Sequence, residues 1–459
     1  MRCGILWYNI KPKNTYLISA YHLTTDKKYC HMITKSPLSA YQKDLSSLTF
    51  SPKNADGHLY DAVILGGGFT GISAALELAQ AGLDVAVIEG HQIGNGGSGR
   101  NGGHLLPDWP GSFHHIEKHL SGEDADLAWQ IGMDTVKLAL SRIKKHNIDC
   151  DLTLGYVHAA YHKTHDRELQ EMMESYDKRG IGGLSYLGGH NDIQQHIGTN
   201  AYISGVYDTN AGHIQPLKYL QGLAQAAQAA GADIHQNQIV TKIDPEAATL
   251  TTKTGKIFQG RELLICGNAY MGQLLPKKMG KKLAQVTSSV LATKPLSDNL
   301  ANSLMPSRTA ASDCNAALNY YRIDKQNRMI FGGRASYMIP DNPAIIGRDL
   351  KGRMTSVFPE LADTDIETIW SGRIGITVSR IPQFGKLSAR CRFVQGFSGH
   401  GVALTGMAGK ILADDIIGDS TAFDTVSRIG HITFPGGPLR TPILALGMAY
   451  YKLRDRLKI

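Results

Sequence analysis

The sequence predicts an α/β protein, α+β overall, in which a Rossmann-like nucleotide-binding domain is interleaved with an antiparallel-sheet domain. Three observations carry that prediction. A strand, a glycine turn, a helix and a second strand follow one another from Tyr60 to Glu89. A second strand, glycine turn and helix stand near the other end, in FVQGFSGHGVALTGMAGK. Between them lie alternating strand patterns, LAQVTSSVLAT, LNYYRID and RMIFGGR.

The first stretch is the most specific. The apolar run Ala62 to Leu65 ends in glycines, and Gly66, Gly68 and Gly71 fit G-x-G-x-x-G. A helical pattern with Ile72, Leu76, Leu78 and Ala79 on its apolar side follows and ends at Gly82. The run Val85 to Ile88 then closes on Glu89, 18 residues past the last glycine of the motif. The chemistry requires each part. Gly66 permits the turn, Gly68 lets a pyrophosphate approach the backbone, and Gly71 lets the helix pack on the strand. The N–H groups of the first turn, with Phe69 and Thr70, face the phosphates at the positive end of the helix. Glu89 would accept hydrogen bonds from ribose hydroxyls, and its charge argues against a 2′-phosphate.

Size and composition narrow the class. The 459 residues suit two or three intertwined domains, and 42% hydrophobic residues suffice for a core. Fifty glycines suit a fold with many turns and close backbone approaches to a ligand. A net charge of +8 favours anionic ligands, but no concentrated basic run points to nucleic acid. Cys3, Cys30, Cys150, Cys266, Cys314 and Cys391 are scattered without a C-x-x-C, the pattern of separate reduced thiols, so a cytoplasmic location is expected. There is no 18-residue apolar span, so no transmembrane helix is expected.

In chain order, residues 1–54 are weakly patterned and are expected to be an N-terminal extension, with 1–31 lying upstream of the fold. The nucleotide domain is expected to be discontinuous, over 55–110, 203–280 and 366–435. The substrate domain should take 111–202 and 281–365, and a C-terminal amphipathic helix 436–459. After Glu89 comes HQIGNGGSGRNGGHLLP, where Ser98, Gly99, Arg100, Asn101, Gly102 and Gly103 let backbone N–H groups crowd against something flat or anionic. Glu123 to Lys145 is an amphipathic helix by periodicity, Leu152 to Ala160 a strand, and Asp166 to Lys178 a helix of mixed charge. His158, His162 and His165 lie near one another with no second ligand cluster, so no metal site is expected.

Ile203 to Tyr207 reads as a strand, and Pro216 opens a helix that Gly231 ends. Ile234 to Ile243 reads as one strand, and Glu262 to Cys266 as another ending in Gly267. Tyr320 and Tyr321 alternate faces on a hairpin strand. Ala344 to Phe358 is helical, and WSGRIGITVSRIPQFGKL is a strand broken at Pro382. Gly396, Gly399 and Gly401 open the last core helix, whose dipole could face a developing negative charge. The tail carries Lys452, Arg454, Arg456 and Lys458 on an 18-residue amphipathic helix, which packs one face on the body or touches a membrane surface.

YDAVILGGGFTG…VIEG, then SGRNGG, then GFSGHGV leading into a helix, resemble the D-amino-acid-oxidase type of FAD-dependent amine oxidoreductase. Within it, SGRNGG, the FGGR hairpin, RIPQFGKL and the tail resemble the bacterial γ-glutamylputrescine oxidase group, from about residue 38 to the end. The resemblance implies an extended FAD with its ADP on Gly66, Gly68, Gly71 and Glu89. Residues 98–103 would run along the pyrophosphate and under the ring. Ile239 and Val240 would meet the adenine side, Gly267 would approach closely, and Gly399, His400, Gly401 and Val402 would face the pyrimidine end. Some sarcosine oxidases attach FAD to a cysteine on the strand occupied here by Gly372 to Thr377; none is present, so non-covalent FAD is expected.

The implied reaction is oxidation of a C–N bond in a small-molecule amine, with oxygen or a quinone as electron acceptor. The imine would hydrolyse to an aldehyde, and no protein base is demanded. In glycine oxidase an arginine binds the substrate carboxylate. Alignment on PQFG puts Ile374 at its position and Arg373 one residue earlier, which argues against α-amino acids and for a γ-glutamylated polyamine. Arg373, Tyr321, Arg322 and His400 are the substrate-side candidates, with Arg334 a further anion anchor. The competing readings are a D-amino acid or imino acid dehydrogenase feeding a quinone, and a non-catalytic FAD-binding protein.

Overall fold

The computed structural model describes residues 37–450, apart from 52, 55, 56, 112, 337–341, 438, 439, 441, 448 and 449. The side chains of 334–336, and so that of Arg334, lie outside the described residues. So do residues 1–31 and the basic residues of the tail.

The central strand, Leu59–Leu65, lies parallel between Ile257–Ile265 and Val85–Ile88. Its residues are apolar in succession because both faces are covered. Ala62 and Ile64 join the core beneath the helix Phe69–Gln80, whereas Tyr60, Val63 and Leu65 join the core on the opposite face. The sheet runs in the order Gln383–Ser388, Cys391–Gln395, Ile257–Ile265, Leu59–Leu65, Val85–Ile88, Asp233–His235. The nucleotide strand and the late glycine passage are therefore two strands apart despite their distance in sequence.

Three helices cover one face. Phe69–Gln80 packs between Pro216–Ala230 and Val402–Ile417. The contact with Val402–Ile417 is close because Gly409 has no side chain: a Cβ there would stand 2.4 Å from the Thr70 carbonyl oxygen. Glu123–Lys145 lies outside them, with acids in its first turn and bases in its last. Its buried Arg142 pairs with Glu77 (2.7 Å) and donates to Ser73 Oγ and the Gly406 carbonyl, tying three helices together.

The second sheet runs Ile366–Ile376, Ala284–Thr293, Met329–Ser336, Tyr320–Ile323, Ala310–Asp313, Thr153–Ala160, Ser204–His213, His104–Leu105. Leu184–Leu187 pairs with Ser204–His213 beside it. All pairs are antiparallel except Ala310–Asp313 with Thr153–Ala160. One face carries Leu291, Tyr321, Ile323, Met329 and Phe331 against the helix Pro343–Val357. The other looks toward the first sheet.

Several boundaries differ from those expected. Ile366–Ile376 pairs along its length with Ala284–Thr293, so hydrogen bonding places it in the second sheet rather than with the nucleotide unit. Ser204–His213 also belongs there, bonded to Thr153–Ala160. The expected strand from Ile234 to Ile243 is two, Asp233–His235 and Val240–Asp244. Between them Asn237 takes a left-handed φ of 60°, and Asn237 and Gln238 donate to the carbonyls of His91 and Glu89. The segment before residue 54 is partly integral: Ser39 and Gln42 form a capping box, and Ala40 and Tyr41 are fully buried. In the tail, Leu444 packs on Ala284 and Phe434. No described helix is long and apolar enough to cross a membrane.

Candidate active site

One cavity of about 900 Å³ runs between the two sheets, within the range of cofactor and ligand sites. Its first end is the nucleotide turn. Gly66 takes φ 108°, and a Cβ there would stand 3.1 Å from the Cys266 backbone. Gly71 lies behind the turn, where a Cβ would fall 1.9 Å from the Gly66 carbonyl oxygen. Gly68, Phe69 and Thr70 line the cavity at the start of the helix. Glu89 is fixed from two sides: Oε2 accepts from Gly67 N (2.8 Å) and Oε1 from His91 N (2.9 Å). Each oxygen keeps acceptor capacity for a ribose hydroxyl. Gln238, Ile239 and Val240 line the cavity near Glu89, and Gly267 closes over Met271.

The 94–103 loop is rigid. The Ser98 hydroxyl accepts from Phe69 N (3.0 Å), so it caps the nucleotide helix. Asn101 donates to the Gly97 and Ser98 carbonyls and accepts from Gly103 N. Gly99 and Gly103 lie inside the loop's packing, where a Cβ would strike the carbonyls of Gly94 and Ile214 at 2.1 and 2.0 Å. Ser98, Arg100, Asn101 and Gly102 line the cavity. The Arg100 guanidinium donates to the carbonyls of Asn95 and Pro37, and the Arg100 carbonyl accepts from Trp370 Nε1 (2.9 Å). Arg100 thus secures the loop while lining the cavity.

At the far end, Gly399, His400, Gly401 and Val402 line the cavity where Val402–Ile417 begins. Asn268 Oδ1 accepts from Gly396 N (2.9 Å), which ties the turn after Ile257–Ile265 to the late glycine passage. His400 Nε2 lies 2.9 Å from the Pro107 carbonyl, and burial lowers its pKa. These residues fit an extended dinucleotide: a glycine cradle with a fixed acid at one end, and a helix N-terminus that suits negative charge at the other.

The remaining wall comes from the second sheet, its loops and the helix Lys163–Asp177: His104, Asp108, Tyr156, His158, Glu168, Ser288, Asp313, Tyr320, Arg373 and Ile374. Arg373 and Ile374 address different parts of it. The Arg373 backbone N–H donates to Tyr270 (3.1 Å) beside the 94–103 loop, whereas a Cβ on Gly399 would stand 3.7 Å from Ile374. Burial raises the carboxyls of Asp108 and Asp313 to about 6. Asp108 also holds a left-handed φ of 73°.

Two candidates stand outside the cavity. Tyr321 faces the core, where its hydroxyl donates to Tyr202 (3.0 Å) and its ring stacks on Phe331. Arg322 is buried beneath the glycine loop and donates to the Gly102 carbonyl (2.8 Å) and the Tyr41 hydroxyl (3.2 Å). It braces the loop from behind, and the cavity face of that strand is carried by Tyr320. Sequence reasoning also passed over Tyr156, Asp108 and Tyr270, which carry no motif. His104 had a visible signal, as the residue directly after SGRNGG.

The family described as FAD dependent oxidoreductase matches residues 61–415. The chain is 35% identical to gamma-glutamylputrescine oxidoreductase of Escherichia coli K12, over 87% of this chain and 93% of that protein. It is 24% identical to glycine oxidase of Bacillus licheniformis, over 78% and 94% of the two chains. The solved glycine oxidase of Geobacillus kaustophilus superposes with a TM-score of 0.64 at 20% identity, covering 78% of this chain and 95% of that one.

Proposed function

The chain belongs to the DAO family of FAD-dependent oxidoreductases, and from that membership we propose that it oxidises the terminal C–N bond of γ-glutamylputrescine or a related N-substituted amine. It is an enzyme, and its cofactor is FAD. The observation that carries the substrate reading is one cavity, continuous from the Gly66–Glu89 cradle to a wall that presents Ile374 beside Gly399. An aliphatic side chain there gives an α-carboxylate no partner next to the reacting carbon, so a substrate with its carboxylate at a distance fits better. The likeness to gamma-glutamylputrescine oxidoreductase over nearly the whole of that enzyme supports the same choice.

The chemistry FAD would supply when bound is that of a hydride acceptor for the carbon beside the amine. The protein's part is to bind, orient and exclude water. Gly66 to Thr70 and Glu89 would hold the ADP, and the internally bonded 94–103 loop would lie along the pyrophosphate. The N-terminus of Val402–Ile417 stabilises negative charge at the pyrimidine end. The cofactor is held without a covalent bond, since Gly372 to Thr377 contains no cysteine. The product imine hydrolyses in water to an aldehyde.

Anaerobic mixing with γ-glutamylputrescine, putrescine, glycine, sarcosine and D-alanine tests this. Bleaching of the flavin by γ-glutamylputrescine well ahead of the amino acids is expected, with hydrogen peroxide formed when oxygen is admitted. Bleaching by the α-amino acids alone would overturn the substrate reading. Dye reduction without peroxide would replace oxygen by a quinone-type acceptor.

A further inference from the structure

His104 ends the glycine loop and opens the short strand His104–Leu105, which touches the helix Val402–Ile417. Its ring stands edge-on to Tyr156 and to Tyr320, with centroids 5.4 and 5.2 Å away, and all three side chains line the cavity. The two ring nitrogens are treated differently. Nδ1 lies 3.0 Å from the Tyr156 hydroxyl. Nε2 is buried and has no hydrogen-bond partner among the described residues. A buried polar atom left unpaired costs about 1–3 kcal/mol, and buried polar groups in native proteins nearly always have a partner. For an atom in the wall of a ligand cavity, the partner that completes it is the ligand.

Resting on the amine-oxidising reading above, we propose that His104 Nε2 accepts a hydrogen bond from the N–H of the reacting amine and holds that nitrogen in place for oxidation, with Tyr156 fixing the ring.

The surroundings select this role. The Tyr156 hydroxyl can accept as well as donate, and when its oxygen accepts Nδ1–H from His104 a lone pair is left on Nε2. Burial first, then the nearby Arg322 and His213, push the imidazole well below its ordinary pKa, so the ring is neutral at neutral pH and carries one proton, on Nδ1 when Tyr156 accepts it. The other titratable groups against it, Tyr156 and Tyr320, are kept neutral by burial. The amine must itself be neutral to lose hydride, and a neutral acceptor can hold one of its N–H bonds without adding charge to the site. The aromatic faces on either side suit the methylene carbons next to that nitrogen.

His104→Phe keeps a ring between Tyr156 and Tyr320 and removes both nitrogens. The FAD-loaded enzyme is mixed anaerobically with γ-glutamylputrescine, and the limiting rate of flavin bleaching is read apart from the half-saturating concentration. The limiting rate should fall about 100-fold, as for a substrate held about 1 Å out of place, with FAD content and visible flavin spectrum unchanged. His104→Gln, which returns an acceptor, should recover part of the rate, and Tyr156→Phe should lose about tenfold, the worth of about 1.4 kcal/mol of orientation. Wild-type bleaching by His104→Phe would overturn the proposal. If that variant loses FAD, wild-type rates in both His104→Gln and Tyr156→Phe would overturn it. A wild-type enzyme that no amine bleaches would instead refute the amine reading, and this assignment with it.

Discussion

Replacing Gly71 by alanine sets two effects against each other. Helix propensity alone favours alanine by up to about 1 kcal/mol. The structure predicts the opposite, because the new Cβ would stand 1.9 Å from the Gly66 carbonyl oxygen. A carbon–oxygen contact needs about 3.3 Å, so the turn or the helix must retreat by about 1.4 Å. The displaced carbonyl belongs to the turn that cradles the phosphates, and backbone cannot swing aside as a side chain can. Overpacking of this kind costs about 1–3 kcal/mol, which taken from binding is about 5- to 150-fold in affinity. Gly82→Ala is the control: it imposes alanine on φ 86° with nothing within 4 Å, so only backbone strain of about 1–2 kcal/mol enters. Visible absorbance of the purified proteins gives FAD content, and titration of stripped protein with FAD gives the dissociation constant. Gly71→Ala should be folded and poorly loaded with FAD, with affinity lowered up to about 100-fold, and Gly82→Ala should stay yellow. A fully loaded Gly71→Ala with wild-type affinity would refute the reasoning.

The other predictions draw on the same geometry. Glu89→Ala removes the acceptor for two backbone N–H groups as well as the ribose contact, and should weaken FAD about 10- to 100-fold in the same titration, since hydrogen bonds to a charged group are worth about 1.5–3 kcal/mol. Arg373→Ala should raise KM for a carboxylate-bearing amine with little loss of flavin; flavin loss with unchanged KM would assign Arg373 to the cofactor instead. Asp313 is 3% exposed and burial raises its carboxyl to about 6 from 3.8, so the native state holds the proton after the unfolded chain has released it. Relative to Asp313→Asn, wild type should therefore lose up to about 3 kcal/mol of stability as pH rises from 4 to 7. Urea unfolding of both proteins across that range measures this, and a constant difference would contradict it.

What the sequence discloses follows the distance over which each signal acts. The strand–turn–helix–strand from Tyr60 to Glu89 is local, and every step has a residue that demands it, so the cradle can be placed from the motif alone. The helix Glu123–Lys145 is equally plain, with charged caps and one apolar stripe. The choice of sheet for a strand is not local. Ile366–Ile376 meets its partner some eighty residues earlier in the chain, and its own alternation says only that it is a strand. Tyr320 and Tyr321 show the limit most simply: period two says that they face apart, and only the packed helix Pro343–Val357 decides that Tyr321 is core and Tyr320 is cavity wall. Arg322 looks like an anion anchor in the sequence because a buried arginine satisfied by a backbone carbonyl and a tyrosine hydroxyl carries no pattern of its own. His104 was visible beside SGRNGG, but its role depends on Tyr156, brought to it from another strand.

The central claim is that one cavity joins an FAD cradle to an amine site. An anaerobic titration of the holoenzyme with γ-glutamylputrescine tests it most directly. Complete bleaching of the flavin at one equivalent of amine, with one equivalent of aldehyde recovered after quenching, is the result predicted. A flavin that dithionite reduces but that neither γ-glutamylputrescine nor any other amine of the panel bleaches would contradict it.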